Sequence, residues 1–386
     1  MSNTSLTVVE AKGWQNQKRF LDLPEKIYKH NQYWVPQLRI EQKGLVGFNR
    51  LFIGRDPFYD NNDCQAFIAL DGKKTVGRIC AILNNGHLER YKDGVGFIGF
   101  FDCIADQSVA DGLFDAASDW LRKKGCKIVR GPVNPSLNHT LGLLIDGFDS
   151  SPFFMMTYNL PYYESLFENY GFQKTQDLYA YWGKVEMLPK INGKLQPICD
   201  HIRERTGVIT RALDTKHFQR DVELFLRIYN EALINTWGFV PMSEREVKEM
   251  AFFLKFMIVP ELATAVELEG KTIGASFAMP DFNPRIRQIG GRLFPFGWYR
   301  LLRRKADIKS IRVLSTNVLP AYQMQGFGML LLNAIVPKVM EAGITDAEFS
   351  WVLESNSFSR GSLEKSGAIR TKTYRVYDKS LSEGGS

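Results

Sequence analysis

The sequence predicts an α/β protein built from two tandem domains of one fold. Three observations carry that expectation: the length, an internal repeat, and a shared order of elements after each copy of the repeat. At 386 residues the chain is too long for one ordinary core and suits about two. With 45% hydrophobic and 24% charged residues its composition is that of a globular protein. The repeat pairs CQAFIALDGKKTVGRICAI (64–82) with ELATAVELEGKTIGASFAM (261–279), about half the chain apart. Each copy reads as a strand, a tight turn at Asp71-Gly72 or Glu269-Gly270, and a second strand.

The elements that follow agree. After the first hairpin come an apolar strand (GFIGFFDCI), a helix (SVADGLFDAASDWLRKKG), a strand (CKIVRGPV), and a short helix leading into a strand (PYYESLFENYGFQKTQDLYAYW). The helix carries Val109, Leu113, Phe114, Ala117, Trp120 and Leu121 on one stripe and stops at Gly125. After the second hairpin come IRVLSTNVLP, GMLLLNAIVPKVMEAG, DAEFSWVL and SRGSLEKSGAIRTKTYRVYDK, in the same order of types. The domains are expected at 1–190 and 197–386, joined by a polar linker near Leu188–Gln196 that Pro189, Gly193 and Pro197 punctuate.

Other classes are set aside. The start is polar, and no apolar run approaches the roughly 18 residues of a membrane span, so a cytoplasmic protein is expected. The five cysteines are scattered with no CxxC, and the five histidines show no HExxH, so neither a metal site nor a disulfide framework is expected. His139 in NPSLNHTLG reads as a structural histidine. The net charge of +7 is concentrated: nine Lys or Arg and one acid lie between Arg285 and Arg312. Such a patch calls for an anionic partner.

The second half holds the most specific motif. Val318-Leu319-Pro320, Gln323-Met324-Gln325-Gly326-Phe327-Gly328 and Leu330-Leu331-Leu332 resemble the strand, Q/R-x-x-G-x-G/A loop and helix of the GNAT acyltransferases. Asn356 followed by LEKSGA resembles the asparagine-then-helix segment of that superfamily. Segments such as NQYWVPQL, FIGFFDC, RGPVNPSLN, NTWGFVP and FSWVLESN, spread over most of the chain, resemble the bacterial ceramide synthase-like family. The resemblance implies two GNAT domains, each a mixed, mostly antiparallel twisted sheet flanked by helices. It also implies an N-acyltransferase that moves an acyl group from coenzyme A to an amine, with a sphingoid base as the leading acceptor. A small-molecule or peptide N-acetyltransferase, a tRNA-dependent peptidyl transferase and a non-catalytic relic are the alternatives.

A glycine loop opening a helix suits a pyrophosphate. It offers backbone N–H groups and the positive end of the helix dipole, with no Cβ to hold phosphates off. The expected cofactor set is therefore Asn317, Val318 and Leu319, the loop Gln323, Met324, Gln325, Gly326, Phe327 and Gly328, then Met329, with Asn356 downstream. The first half has DCIADQSVADG at the matching place, where Asp102, Asp106 and Asp111 repel phosphate. That domain is expected to lack cofactor and to shape the acceptor pocket.

Acyl transfer needs a polarised carbonyl, a free amine and a leaving thiolate. The resemblance implies a polarising N–H within Thr316–Leu319. The acid tyrosine that many GNAT enzymes place seven residues after the asparagine is replaced here by Leu363, leaving Tyr162 or Tyr163 as stand-ins. Glu354 and Asp102, at strand ends, are the candidate bases, with Glu348 in the same strand as Glu354. Trp237 and Phe239, with Asn134 and Asn138, are the candidate acceptor-pocket residues. Residues 285–312 mix aromatics with cations and suit the inner face of an anionic membrane, ahead of a solvated insert or RNA.

Overall fold

The computed structural model describes residues 6–50 and 53–381. Its strands are β1 (Leu6–Glu10), β2 (Asp63–Asp71), β3 (Lys74–Leu83), β4 (Val95–Cys103), β5 (Ile128–Gly131), β6 (Val133–Asn134), β7 (Thr140–Leu141), β8 (Leu143–Asp146), β9 (Gln173–Lys184), β10 (Ile209–Ala212), β11 (Ala263–Leu268), β12 (Lys271–Pro280), β13 (Ser310–Val318), β14 (Asp346–Leu353) and β15 (Ile369–Ser380). Its helices are α1 (Gly13–Ile27), α2 (Arg39–Leu45), α3 (Asn85–Tyr91), α4 (Gln107–Lys123), α5 (Tyr163–Asn169), α6 (Leu188–Thr206), α7 (Phe218–Ala232), α8 (Glu244–Met257), α9 (Asn283–Gln288), α10 (Gly297–Leu302), α11 (Phe327–Glu341) and α12 (Ser357–Ser366). Among the described residues no helix is long and apolar enough to cross a membrane.

The chain divides into two compact units, and they are not the contiguous halves 1–190 and 197–386. The first unit holds residues up to Asp177 together with Asn283–Trp298 and everything from Lys372. The second holds Leu178–Phe282 and Tyr299–Thr371. The last strand of each half has changed places: β15 pairs with β5 and β8 in the first unit, and β9, from Leu178, pairs with β14 in the second. Nor is 188–196 a linker. Those residues open α6, where Pro189 sits in the first turn and its missing N–H costs nothing.

In the first unit β1, β2, β3 and β4 form an antiparallel run, and β5 joins β4 in parallel. Helix α4 lays Val109, Ala110, Leu113, Phe114, Ala117 and Leu121 into the core, as its apolar stripe requires. Glycines bring it close: a Cβ on Gly77 would stand 2.6 Å from Leu113, and one on Gly96 2.6 Å from Leu121.

In the second unit β10, β11, β12 and β13 are antiparallel neighbours, β14 joins β13 in parallel, and β9 pairs antiparallel with β14. Strand alternation separates two layers. Ala263, Ala265, Ala275 and Phe277 pack with α7 and α8, whereas Val266 packs with Leu330 and Leu331 of α11. Helix α11 thus covers one face, and α7, with α8 packed against it, the other.

Candidate active site

The two central strands of the second unit part company. β13 and β14 pair in parallel only over Ser310–Val313 and Asp346–Phe349. Beyond that point β13 stays with β12 as far as Val318↔Gly274, while β14 stays with β9 as far as Leu353↔Leu178. A register shift at Phe277/Ala278 leaves Leu314 without a partner on β12, a bulge at the place where the parting begins. The result is a gap at the carboxyl ends of two parallel strands, the usual place for a ligand in an α/β sheet.

The predicted loop follows directly from this end of β13. Leu319 N–H donates to Ile273 O, a short 3-10 turn spans Pro320–Tyr322, and α11 starts at Phe327. Met324 (φ 62°) and Gly326 (φ 86°) are both left-handed, the alternation that turns successive N–H groups to one side. Among the described residues, the N–H groups of Met324, Gln325, Gly326, Phe327 and Gly328 donate to no protein acceptor, and the helix N-cap is a glycine without a capping side chain. A Cβ on Gly328 would meet nothing within 4 Å. Gln323, one of the expected cofactor residues, has its side-chain amide committed elsewhere: it donates to Val318 O at 3.0 Å and braces the turn. Asn317 is buried, whereas Val318 is half-buried and Met324 fully exposed. Asn356 is exposed and its side chain caps α12, accepting from Ser359 N–H at 3.0 Å.

The matching place in the first unit is filled. There β4 and β5 pair only over Val95–Phe97 and Ile128–Arg130. The freed edge of β4 is met by side chains: Phe100 N–H donates to Asn134 Oδ1 (2.6 Å) and Cys103 N–H to the Tyr163 hydroxyl (3.1 Å). The helix start is also occupied, because the Asp106 carboxylate accepts from Ser108 N–H and hydroxyl. The Ser108 hydroxyl holds that carboxyl below its usual range, a fixed anion where a phosphate would sit.

Several expected site residues take other roles. Asp102 is buried between Arg78 (Nε to Oδ2, 2.7 Å) and the Tyr28 hydroxyl (2.7 Å), its side chain bonded into the core of the first unit. Tyr163 is wholly buried in the first core, and burial pushes its hydroxyl pKa well up. Asn134 spends its amide on Phe100 and Thr140. Asn138 is half-buried, its N–H donating to Ser136 Oγ. Phe239 is 2% exposed against Tyr229, a core residue, whereas Trp237 is half-buried. Of the basic segment, Arg292 pairs with Glu25 in the first unit, and Arg312 lies buried in the second. A cleft of about 650 Å³ in the first unit, lined by Lys18, Asp22, Glu25, Lys26, Lys29, Arg39 and Arg292, is a network of solvated ion pairs. No group of three or more His, Cys, Asp or Glu among the described residues could hold a metal.

Glu354 stands at the end of β14, half-buried, its Oε1 3.4 Å from the Tyr179 hydroxyl of β9. Sequence reading missed Tyr179, which reaches this place only because β9 pairs with β14 (Val352↔Tyr179). It named Glu348 but missed the buried polar set that holds it just below the parting. Arg312 and Glu348 are register partners, and Ser350 Oγ bridges them, accepting from Arg312 Nε (2.8 Å) and donating to Glu348 Oε1 (2.7 Å). Charged residues inside the apolar runs IRVL and AEFSWV were the signal.

No protein-family model matches the chain. A bacterial ceramide synthase from Caulobacter vibrioides is 32% identical over 396 residues, 98% of this chain and 99% of its own length. The chain belongs to the bacterial ceramide synthase-like family. A second relative of this family's chain, protein YghO of Escherichia coli, is 32% identical over 370 residues, covering 94% and 93%. The fold of the ceramide synthase-like chain is a tandem GNAT acyltransferase fold. A tandem GNAT protein from the clavulanic acid biosynthesis pathway superposes over 99% of it and 100% of that chain (TM-score 0.56, 12% identity). A probable N-acyltransferase from Enterococcus faecalis does so over 98% and 73% (TM-score 0.51, 10% identity). At those identities the likeness is one of fold.

Proposed function

We propose that this acyltransferase takes its acyl group from acyl-coenzyme A and gives it to the amine of a lipid, a sphingoid base being the favoured class. The observation that supports the donor is the bare N-terminus of α11, with unbonded N–H groups and an open Gly328, at the end of the β13–β14 gap. Five N–H groups and a helix dipole suit a diphosphate without any cation. The freed edge of β13 between Ser315 and Val318 is where a backbone N–H would polarise the thioester carbonyl. The filled start of α4 argues for one donor site per chain.

For the chemistry we assign Glu354 as the base that takes the proton from the attacking amine, oriented by Tyr179. The coenzyme A thiol is acidic enough, near the cysteine range, to leave as thiolate without an acid, which accords with Leu363 standing where many GNAT enzymes place a tyrosine. The lipid acceptor is supported by the name of the Caulobacter relative, a ceramide synthase, and by the aromatic and basic character of residues 285–312, which we take to meet an anionic membrane face. The test is thiol release from an acyl-coenzyme A panel presented with sphingoid bases, small amines and peptides. Release with long-chain bases alone supports the reading, and release only with small amines or peptides overturns the lipid assignment.

A further inference from the structure

Helix α8 carries an apolar face that no core explains. Val247 and Ala251 point into the second unit, yet Phe252, Phe253 and Phe256 are 52%, 39% and 43% exposed. Phe252 meets both other rings edge-on, Phe253 at 5.6 Å and Phe256 at 5.5 Å, so the three form one cluster. The capping box at Ser243–Glu246 makes α8 a firmly started helix rather than a fraying one. Its other end is held by the basic segment: Lys305 Nζ donates to Phe256 O (2.8 Å) and Ile258 O (3.1 Å), filling the helix's last carbonyls. The rings are therefore tied to a stretch, Tyr299–Lys309, with five Lys or Arg and one acid, in which Arg300, Arg303 and Arg304 are exposed. Lys255 lies 6.0 Å from the Phe256 ring.

We infer that α8 is the part of this protein that enters a lipid surface, its three phenylalanines passing below the headgroups of an anionic bilayer while Arg300, Arg303, Arg304 and Lys255 meet those headgroups. Aromatic residues flanked by cations fit that boundary, where rings lose water and charges keep it. The surplus of cations beside the rings selects an anionic surface over an apolar protein groove. This inference rests on the membrane part of the reading above and not on the acyl transfer.

The test is co-sedimentation with vesicles of phosphatidylcholine, with and without phosphatidylglycerol, for the wild type, Phe252→Ser/Phe253→Ser/Phe256→Ser and Arg303→Glu/Arg304→Glu. All substituted side chains are exposed, and circular dichroism with acyl-coenzyme A calorimetry checks each variant's fold. The expected result is binding of the wild type to the anionic vesicles. The arginine variant should lose it at low salt. The phenylalanine variant should partition about a hundredfold less, the difference persisting near about 0.5 M salt, where headgroup attraction is screened. If the wild type binds no vesicles, the membrane reading of residues 285–312 falls together with this inference. If the phenylalanine variant binds as the wild type does while the arginine variant does not, only the role of α8 is overturned. A change of oligomeric state in the phenylalanine variant, with vesicle binding intact, would assign the face to a second copy instead.

Discussion

Replacing Gly328 by glutamate separates the two things a helix start can do. A Cβ at this position meets nothing within 4 Å, so the substitution needs no repacking. Removing a glycine from a helix contributes about 0.5–1 kcal/mol, and an acid in the first turn adds about 0.3–1 kcal/mol through the dipole. The folded protein should therefore melt at the same temperature or higher. Ligand binding should move the other way. The new carboxylate sits in front of the N–H groups of Met324–Gly328, where the diphosphate is assigned. One like charge about 5 Å away at an effective dielectric near 20 costs about 3 kcal/mol, which is about a hundredfold in affinity, before counting the space the side chain fills. Gly326 is a poorer choice, because it is left-handed and a Cβ there would stand 2.6 Å from Ile202, so loss of binding and loss of fold would be confounded. Calorimetry with acyl-coenzyme A and a thermal melt on Gly328→Glu decide the matter. An unchanged affinity in a folded variant refutes the diphosphate assignment.

Glu354→Gln should slow thiol release about 10²–10⁴-fold and leave acyl-coenzyme A affinity alone; release at the wild-type rate removes Glu354 as the base. Asp102→Asn strands the Arg78 guanidinium, buried with its partner, and should cost about 3–5 kcal/mol. A urea melt measures it, and a loss under about 1 kcal/mol would contradict the core role assigned to the pair. Burial lowers the pKa of His87 and of His139. Below about pH 6.5 the unfolded chain then binds protons that the folded one refuses, and stability falls as pH falls from there toward the depressed folded values. His139→Gln should flatten the slope of stability between about pH 6.5 and 5, and an identical slope in that variant would show that His139 is not held neutral.

Much of the site was legible because its parts are local. Gly326, Gly328 and the apolar helix after them are consecutive residues, and their pattern says both where the chain turns and that its amides lie open. The hairpins were equally readable, although the first turns at Gly72-Lys73 rather than at Asp71-Gly72, because β2 runs through Asp71. Side-chain assignments fared differently. Gln323 was expected to face the ligand and instead bonds Val318, because an amide beside a turn carbonyl finds a partner without crossing space. Asp102 matched a base by its place at a strand end, yet Tyr28 and Arg78 arrive from elements far away in sequence to claim it.

By itself the sequence determined two α/β halves of one design, the glycine loop that opens α11, and a basic aromatic segment. These follow from hydrophobic period and backbone freedom, which act over a few residues. Only the tertiary structure decided that β15 and β9 trade units, that β13 and β14 part after Val313 and Phe349, and that Tyr179 stands beside Glu354. A strand's alternation tells which side chains face inward but not which strand lies beside it. Pairing is settled by the whole fold, and the site's chemistry depends on that pairing.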